Sequence, residues 1–186
     1  MSRKLVANLF YSVDGVAADP FNFQHDSFDK SLAAFMNEGI QQIDANVLGR
    51  VTYQEWASYW PSITEGENAG FAEFINSTPK HIASSTLGAD EITWAGARLI
   101  QGEMTDFIRE LVEQEGGTIA VQGSLSVVRQ CVEAGLMDEL TLIIHPAVAG
   151  KGRGLFNGME PTRLRLIDAK PTEKGNILAT YGPNRH

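Results

Sequence analysis

The stretch from Thr118 to Pro146, TIAVQGSLSVVRQCVEAGLMDELTLIIHP, decides the fold. Thr118 to Val121 is a short run of strand formers, closed by Gly123. Leu125, Val128 and Val132 then recur at helical spacing until Gly135 stops them. Glu139 to Ile144 (ELTLII) returns to strand, and Pro146 ends it. A strand, a helix and a strand in so short a span form a unit whose two strands run parallel through a right-handed crossover.

The same alternation extends outward in both directions. Met104, Phe107, Ile108, Leu111 and Val112 mark a helix, with Gly116-Gly117 expected to cap its end. Lys4 to Val13 (KLVANLFYSV) reads as a buried strand ended by the Asp14-Gly15 turn. From Asp26 onward, Phe28, Leu32, Phe35 and Met36 fall on one helical face. Asn46 to Leu48 is a second strand, Thr52 to Ser58 a helix stopped by Pro61, and Lys80 to Ser84 a third strand. Ser62 to Pro79 reads as a loop with one helical turn near Phe71 to Ile75. Leu164 to Ile167 and Ile177 to Tyr181 flank Lys174-Gly175 as a terminal hairpin. The pattern predicts an α/β fold: a mostly parallel mixed sheet, helices on both faces, and an antiparallel C-terminal hairpin, in a single domain spanning 1–186.

Composition narrows the function. The 186 residues are 43 % hydrophobic and 20 % charged, ordinary for a globular chain, and the net charge is −8. A negative surface repels phosphate backbones, so a general nucleic-acid partner is not expected. Any anionic ligand must be held by backbone N–H groups and a few placed cations. One cysteine, Cys131, excludes an internal disulfide and reads as buried and inert on its helix. Signal-peptide features and a run of roughly 18 apolar residues are both missing, so the expectation is a cytoplasmic protein with no membrane partner. His25, His81, His145 and His186 are scattered without metal-ligand spacing, and no metal is expected.

Two strand-to-helix junctions suit a phosphorylated ligand. Gly49-Arg50-Val51-Thr52 offers close backbone approach, a guanidinium and a hydroxyl at a helix start. Gln122-Gly123-Ser124-Leu125 repeats the arrangement. Each also reads as ordinary helix capping. Ala149 to Gly154 (AGKGRG) has the composition of a phosphate cradle but leads into no helix, so it reads as a flexible loop.

The opening strand with Ser12-Val13-Asp14-Gly15, the Leu48 to Tyr53 element, and the run from Gly123-Ser124 through Gly135 to Leu140, Pro146 and Gly150-Lys151-Gly152 together resemble the dihydrofolate reductase-like superfamily. The branch containing the reductase domain of the bifunctional riboflavin-biosynthesis deaminase-reductase is the most similar. This resemblance implies a three-layer fold of that type with NADPH as hydride donor. It places Gly49, Arg50 and Thr52 at the phosphates and Ser84, Ser85 and Thr86 at the 2′-phosphate. Gly123, Ser124 and Leu125 fall at the pyrophosphate. Many relatives carry two glycines where this chain has Gln122-Gly123, and Asp26 and Asp29 lie near the place of the folate-reducing carboxylate without matching its position.

The implied activity is reduction of a small molecule, either a heterocycle (pterin-like or pyrimidine/ribosylamine-like) or a carbonyl compound. A proton donor is then needed, and the candidate acids are Asp14 and Asp29, with Asp19 and Asp26 beside them. Asp14 also reads as a turn residue, and Asp26 and Asp29 as first-turn helix charges. Phe10 and Tyr11 alternate, so only one faces a given side of the sheet. Tyr53, Trp56 and Trp60 read as core. The alternative is a nucleotide-binding or regulatory protein of the same fold without turnover. A serine hydrolase is excluded, because Ser124 lacks a flanking glycine of the nucleophile elbow. The hairpin edge suggests a homodimer.

Overall fold

The periodicities become elements in the computed structural model, which describes residues 3–184. In chain order these are β1 (Leu5–Ser12), α1 (Phe21–Gln24), α2 (Lys30–Ile40), β2 (Ile43–Gly49) and α3 (Arg50–Tyr59). They continue with α4 (Ala69–Ser77), β3 (Lys80–Ala83), β4 (Ala97–Leu99), α5 (Met104–Glu113) and β5 (Thr118–Val121). The last are α6 (Leu125–Glu133), β6 (Glu139–His145), β7 (Leu164–Pro171) and β8 (Ile177–Pro183). They form one eight-stranded sheet in the order β4-β3-β2-β5-β1-β6-β8-β7. The first six strands in that order pair in parallel, and β8 joins β6 and β7 antiparallel.

Side-chain alternation along the strands sorts the helices. Ala45 and Val47 pack with α5 and α6 residues such as Ile108, Val127 and Val128. Leu48 and Ile82, on the opposite face, pack with Tyr53 of α3 and Ile75 of α4. Leu32 of α2 covers Ile143 and Leu178 on that second face, beside Phe10. The sheet is thus the middle of three layers, and both of its faces carry apolar side chains as a mainly parallel sheet requires.

Several sequence expectations change. The helix around Phe71 is a full nine residues, Ala69–Ser77, because Ala72 and Ile75 bury one face of it. The short strand β4 carries too few residues to show a period. α2 begins at Lys30, since Asp29 caps it, and Phe28 lies outside. Gly116-Gly117 does not cap α5, which ends at Glu113 with Gln114 as its cap. These glycines admit other chain instead: a Cβ on Gly117 would stand 2.7 Å from the Gln42 carbonyl. Gly135 does end α6, at φ +67°, donating to the Val132 carbonyl while Leu136 donates to that of Cys131. Cys131 is buried there, and burial pushes its thiol up to about 12.

A buried cation fixes the entry to β3. Lys80 Nζ donates to the carbonyls of Ile75 and Thr78, both at 2.7 Å, and of Asn76 at 3.2 Å, and lies 4.6 Å from the Trp94 ring centre. Those carbonyls end α4, where the helix dipole favours a positive charge. Lys80→Met should therefore strand three acceptors and lower stability by about 2–4 kcal/mol, read as a shifted urea midpoint at unchanged slope.

Candidate active site

The sheet has a step at the C-terminal ends of its parallel strands. β5 stops at Val121, opposite Ala7 of β1 and Val47 of β2. β1 runs on to Ser12, still paired with β6 as far as His145, and β2 runs on to Gly49. The floor of the resulting cleft is Gln122-Gly123-Ser124. From β2 the chain turns into α3 on one face, and from β5 into α6 on the other. Such a divergence between neighbouring strands is where open α/β sheets bind ligands.

The two junctions meet there. The Gly49 N–H donates to Ser124 Oγ at 2.7 Å, and Ser124 Oγ donates to Thr52 Oγ1 at 2.8 Å. A Cβ on Gly49 would stand 3.0 Å from Ser124 Oγ and 3.3 Å from Val127 Cγ2, so a side chain there would have to push these atoms aside by a few tenths of an ångström. Gly123 has φ +64°, the left-handed region, with Thr52 and Trp56 beside it. Neither α3 nor α6 has a side-chain cap at its start. The first-turn amides of both helices, those of Arg50 to Thr52 and of Leu125 to Val127, are therefore open to an anion.

β3 completes this wall. Ala83 is the register partner of Gly49, so Arg50 and Ser84 leave the sheet side by side. Arg50 is exposed, and among the described residues its guanidinium reaches only Gln54 Oε1, at 3.4 Å. Ser84 Oγ accepts from the N–H groups of Thr86 and Leu87, which makes a turn that presents Ser85 and Thr86 to solvent. Leu125 packs its side chain into the core and offers only its N–H. The structure thus gathers Gly49, Arg50, Thr52, Ser84, Ser85, Thr86, Gly123, Ser124 and Leu125 at one end of the sheet. The hydroxyls of Thr52 and Ser124, however, are engaged with each other.

Both candidate acids, Asp14 and Asp29, are engaged as hydrogen-bond acceptors. Asp14 accepts from Ser12 Oγ at 2.6 Å and from the N–H groups of Ala149 and Gly150 at 2.8 Å. These bonds hold its carboxyl at about 2, so it carries no proton to give at neutral pH. Asp29 is buried at the start of α2. Its Oδ1 accepts from the Leu32 N–H, and its Oδ2 from Thr172 Oγ1, the Lys174 N–H and Asn176 Nδ2. Burial pushes this carboxyl up, but the bonds from Thr172, Leu32, Lys174 and Asn176 outweigh it and leave it below the ordinary value. Asp29 therefore staples the β7–β8 turn to α2. Asp19 is exposed at φ +50°, and exposed Asp26 lies 3.6 Å from Lys174.

The Ala149–Gly154 loop is fastened rather than free. Asp14 takes its amides, Val16 bridges to Gly154, and the Arg153 carbonyl accepts from Ala17 and Ala18. A Cβ on Gly152 would stand 2.5 Å from Val16 Cγ1, so that glycine serves packing. His145 is buried between the Phe10 and Phe23 rings with Nδ1 2.6 Å from Ser27 Oγ, and burial pushes its imidazole down. His81 lies against the Phe107 ring, and His186 falls outside the described residues. Among the described residues no group of three or more His, Cys, Asp or Glu could hold a metal ion, and no helix is long and apolar enough to cross a membrane. Tyr53, Trp56 and Trp60 pack against Ile75 and Phe71.

Of the alternating pair Phe10 and Tyr11, the sequence left open which one faces α6. Phe10 turns to the α2 face, which leaves Tyr11 on the α6 face at the upper wall of the cleft. Its hydroxyl lies against Gly15, 3.4 Å from the position a Cβ would take, and has no hydrogen-bond partner among the described residues. Burial pushes the phenol up, so it keeps its proton at neutral pH. Strand alternation could have raised Tyr11, but choosing between it and Phe10 required the sheet's faces.

Comparison with known proteins agrees with this architecture. The family model described as the RibD C-terminal domain matches residues 3–178. An uncharacterized Bacillus subtilis (strain 168) protein, YyaP, is 26 % identical over 155 residues, spanning 82 % of this chain and 79 % of its own. A putative riboflavin biosynthesis protein from Shewanella sp. PV-4 superposes with TM-score 0.72 at 18 % identity, covering 100 % of both chains. A dihydrofolate reductase from Enterococcus faecalis, complexed with NADP(H) and RAB-propyl, superposes with TM-score 0.64 at 16 % identity, again over 100 % of both. The three-layer dihydrofolate reductase-like fold expected from sequence is the fold found.

The staple at Asp29 has a pH signature. A carboxyl held below its ordinary 3.8 in the folded chain contributes stability that is complete above that value and lost as pH falls through the folded one. Asp29→Asn should lower stability at pH 7 by about 1–3 kcal/mol and flatten the acid-side fall of the thermal midpoint below about pH 4. Thermal melts from pH 7 to 2 would show both; a variant curve parallel to wild type would contradict the staple.

Proposed function

The chain belongs to the RibD C-terminal domain family, and we propose that it is an NADPH-dependent reductase of a small heterocyclic or carbonyl substrate. The observation that carries this reading is the meeting of two uncapped helix starts across Gly49 and Ser124, with Arg50 and the Ser84 to Thr86 turn alongside. A pyrophosphate fits the open amides of α3 and α6, since helix N-termini favour negative charge. A 2′-phosphate fits Arg50 with the exposed hydroxyls of Ser85 and Thr86. An NADH site more usually presents a carboxylate to the ribose. The NADP(H) held by the Enterococcus faecalis enzyme of like fold supports the same cofactor class. The Arg50 guanidinium and the helix-start amides locally offset the chain's net charge of −8.

Bound NADPH would supply a hydride to the carbon of a C=N or C=O group. Tyr11 then serves as proton donor: its O–H gives the proton to the substrate nitrogen or oxygen, and solvent reprotonates the phenolate. The phenol suits this task where Asp14 and Asp29 do not, because it is protonated and unengaged. The cleft between the overhanging end of β1 and the start of α6 holds the substrate beside it. A second reading, nucleotide binding without turnover, draws on the loss of both carboxylates as acids; NADPH oxidation separates the two.

Thermal shift tests the cofactor. NADPH at ~100 times its dissociation constant stabilises by about 2.7 kcal/mol, a rise of roughly 5–10 °C, with NADH giving less. Arg50→Ala should erase most of that difference, while an equal response of the wild type to both nucleotides would remove Arg50 from the 2′-phosphate. For turnover, NADPH absorbance is followed with a panel of dihydropterins, aminopyrimidines and aldehydes. Tyr11→Phe should cut kcat by roughly a hundredfold with NADPH affinity unchanged, and a wild-type kcat in this variant would exclude Tyr11 as the acid.

A further inference from the structure

We propose that Ser124 is a positioning residue for the cofactor rather than one of its ligands, because its hydroxyl fixes the gap between the two phosphate-binding helix starts. This rests on the cofactor reading above and gives Ser124 a different part in it. Ser124 is the N-cap residue of α6, and a serine there ordinarily turns its hydroxyl onto the amides of its own first turn. Here it does not. The hydroxyl accepts from the Gly49 N–H, the N-cap amide of α3, and donates to Thr52 in the first turn of α3.

Two consequences follow from that one choice. The amides of α6 are left open for an anion, since their usual cap is engaged elsewhere. The starts of α3 and α6 are also pinned together by a buried hydroxyl, so their two sets of amides keep a constant separation. Gly49 is what permits this contact, since a Cβ there would crowd both Ser124 Oγ and Ser124 Cβ, the latter at 3.2 Å. Ser124 is only 7 % exposed, and Thr52 9 %, which keeps both hydroxyls away from competing water. A local rule broken without local gain is a mark of a functional arrangement. The gain here is preorganisation: a pyrophosphate meets donors already held in place.

A ligand and a strut differ in how their losses combine. If Ser124 and Thr52 each touched phosphate, removing both would add the two losses; if they form one strut, the second removal costs nothing further. The experiment measures NADPH dissociation constants by calorimetry for wild type, Ser124→Ala, Thr52→Val and the double variant, with urea unfolding of each ligand-free protein. The expected result is a roughly tenfold weaker NADPH affinity in Ser124→Ala, and a double variant within about twofold of it. Thr52→Val keeps shape and volume, so the strut is still tested if Ser124→Ala folds poorly: it should weaken NADPH binding severalfold while remaining folded. Additive losses, or NADPH affinity unchanged in Ser124→Ala, would overturn the assignment alone. A wild-type protein without NADPH affinity would instead overturn the cofactor reading and this assignment with it.

Discussion

A single mismatch of strand lengths governs this molecule. β5 ends at Val121 while β1 continues to Ser12 and β2 to Gly49, so the sheet itself carries a notch. A notch in a buried sheet exposes backbone that must find partners. The chain answers by turning at Gly123 into α6 and by spending the Ser124 hydroxyl on the Gly49 amide and Thr52. Both flanking helices then present uncapped starts to the same hollow. A ligand held at this point would meet the helix-start amides and the Arg50 guanidinium at short range, where distant surface carboxylates count for little.

Two carboxylates fasten the loops at this end of the sheet. Asp14 gathers Ser12 and the amides of Ala149 and Gly150, and Asp29 gathers Leu32, Thr172, Lys174 and Asn176. A carboxylate that accepts several hydrogen bonds is stabilised as the anion. The same bonds that make these residues good staples therefore make them poor acids. The Tyr11 phenol, by contrast, has no hydrogen-bond partner among the described residues and keeps its proton.

Much of the fold was legible because hydrophobic period reports burial directly. Met104 to Val112, Leu125 to Val132 and Glu139 to Ile144 show their periods without interruption, and each became the expected element. α4 was only partly legible, since Ala72 and Ile75 are the whole of its buried face. β4 was not legible at all, and β7 was only partly so: one is three residues long, and the other is exposed along nearly its entire length at the sheet's edge. The gathering of Gly49, Arg50 and Thr52 with Gly123 and Ser124 was readable as two strand-to-helix junctions. Their direct contact was not.

The order of apolar and turn residues by itself determined the layered α/β fold, the hairpin at its end and the two glycine junctions, because periodicity, capping and turn chemistry are local properties. Only the tertiary structure decided what each polar side chain does there. Whether Ser124 caps its own helix or reaches Gly49, whether Asp29 holds a proton or four donors, and whether Phe10 or Tyr11 enters the cleft all depend on groups distant in sequence. Hydrogen bonds and burial are set by what lies within a few ångströms in space, and the chain order does not specify that distance until the sheet has formed.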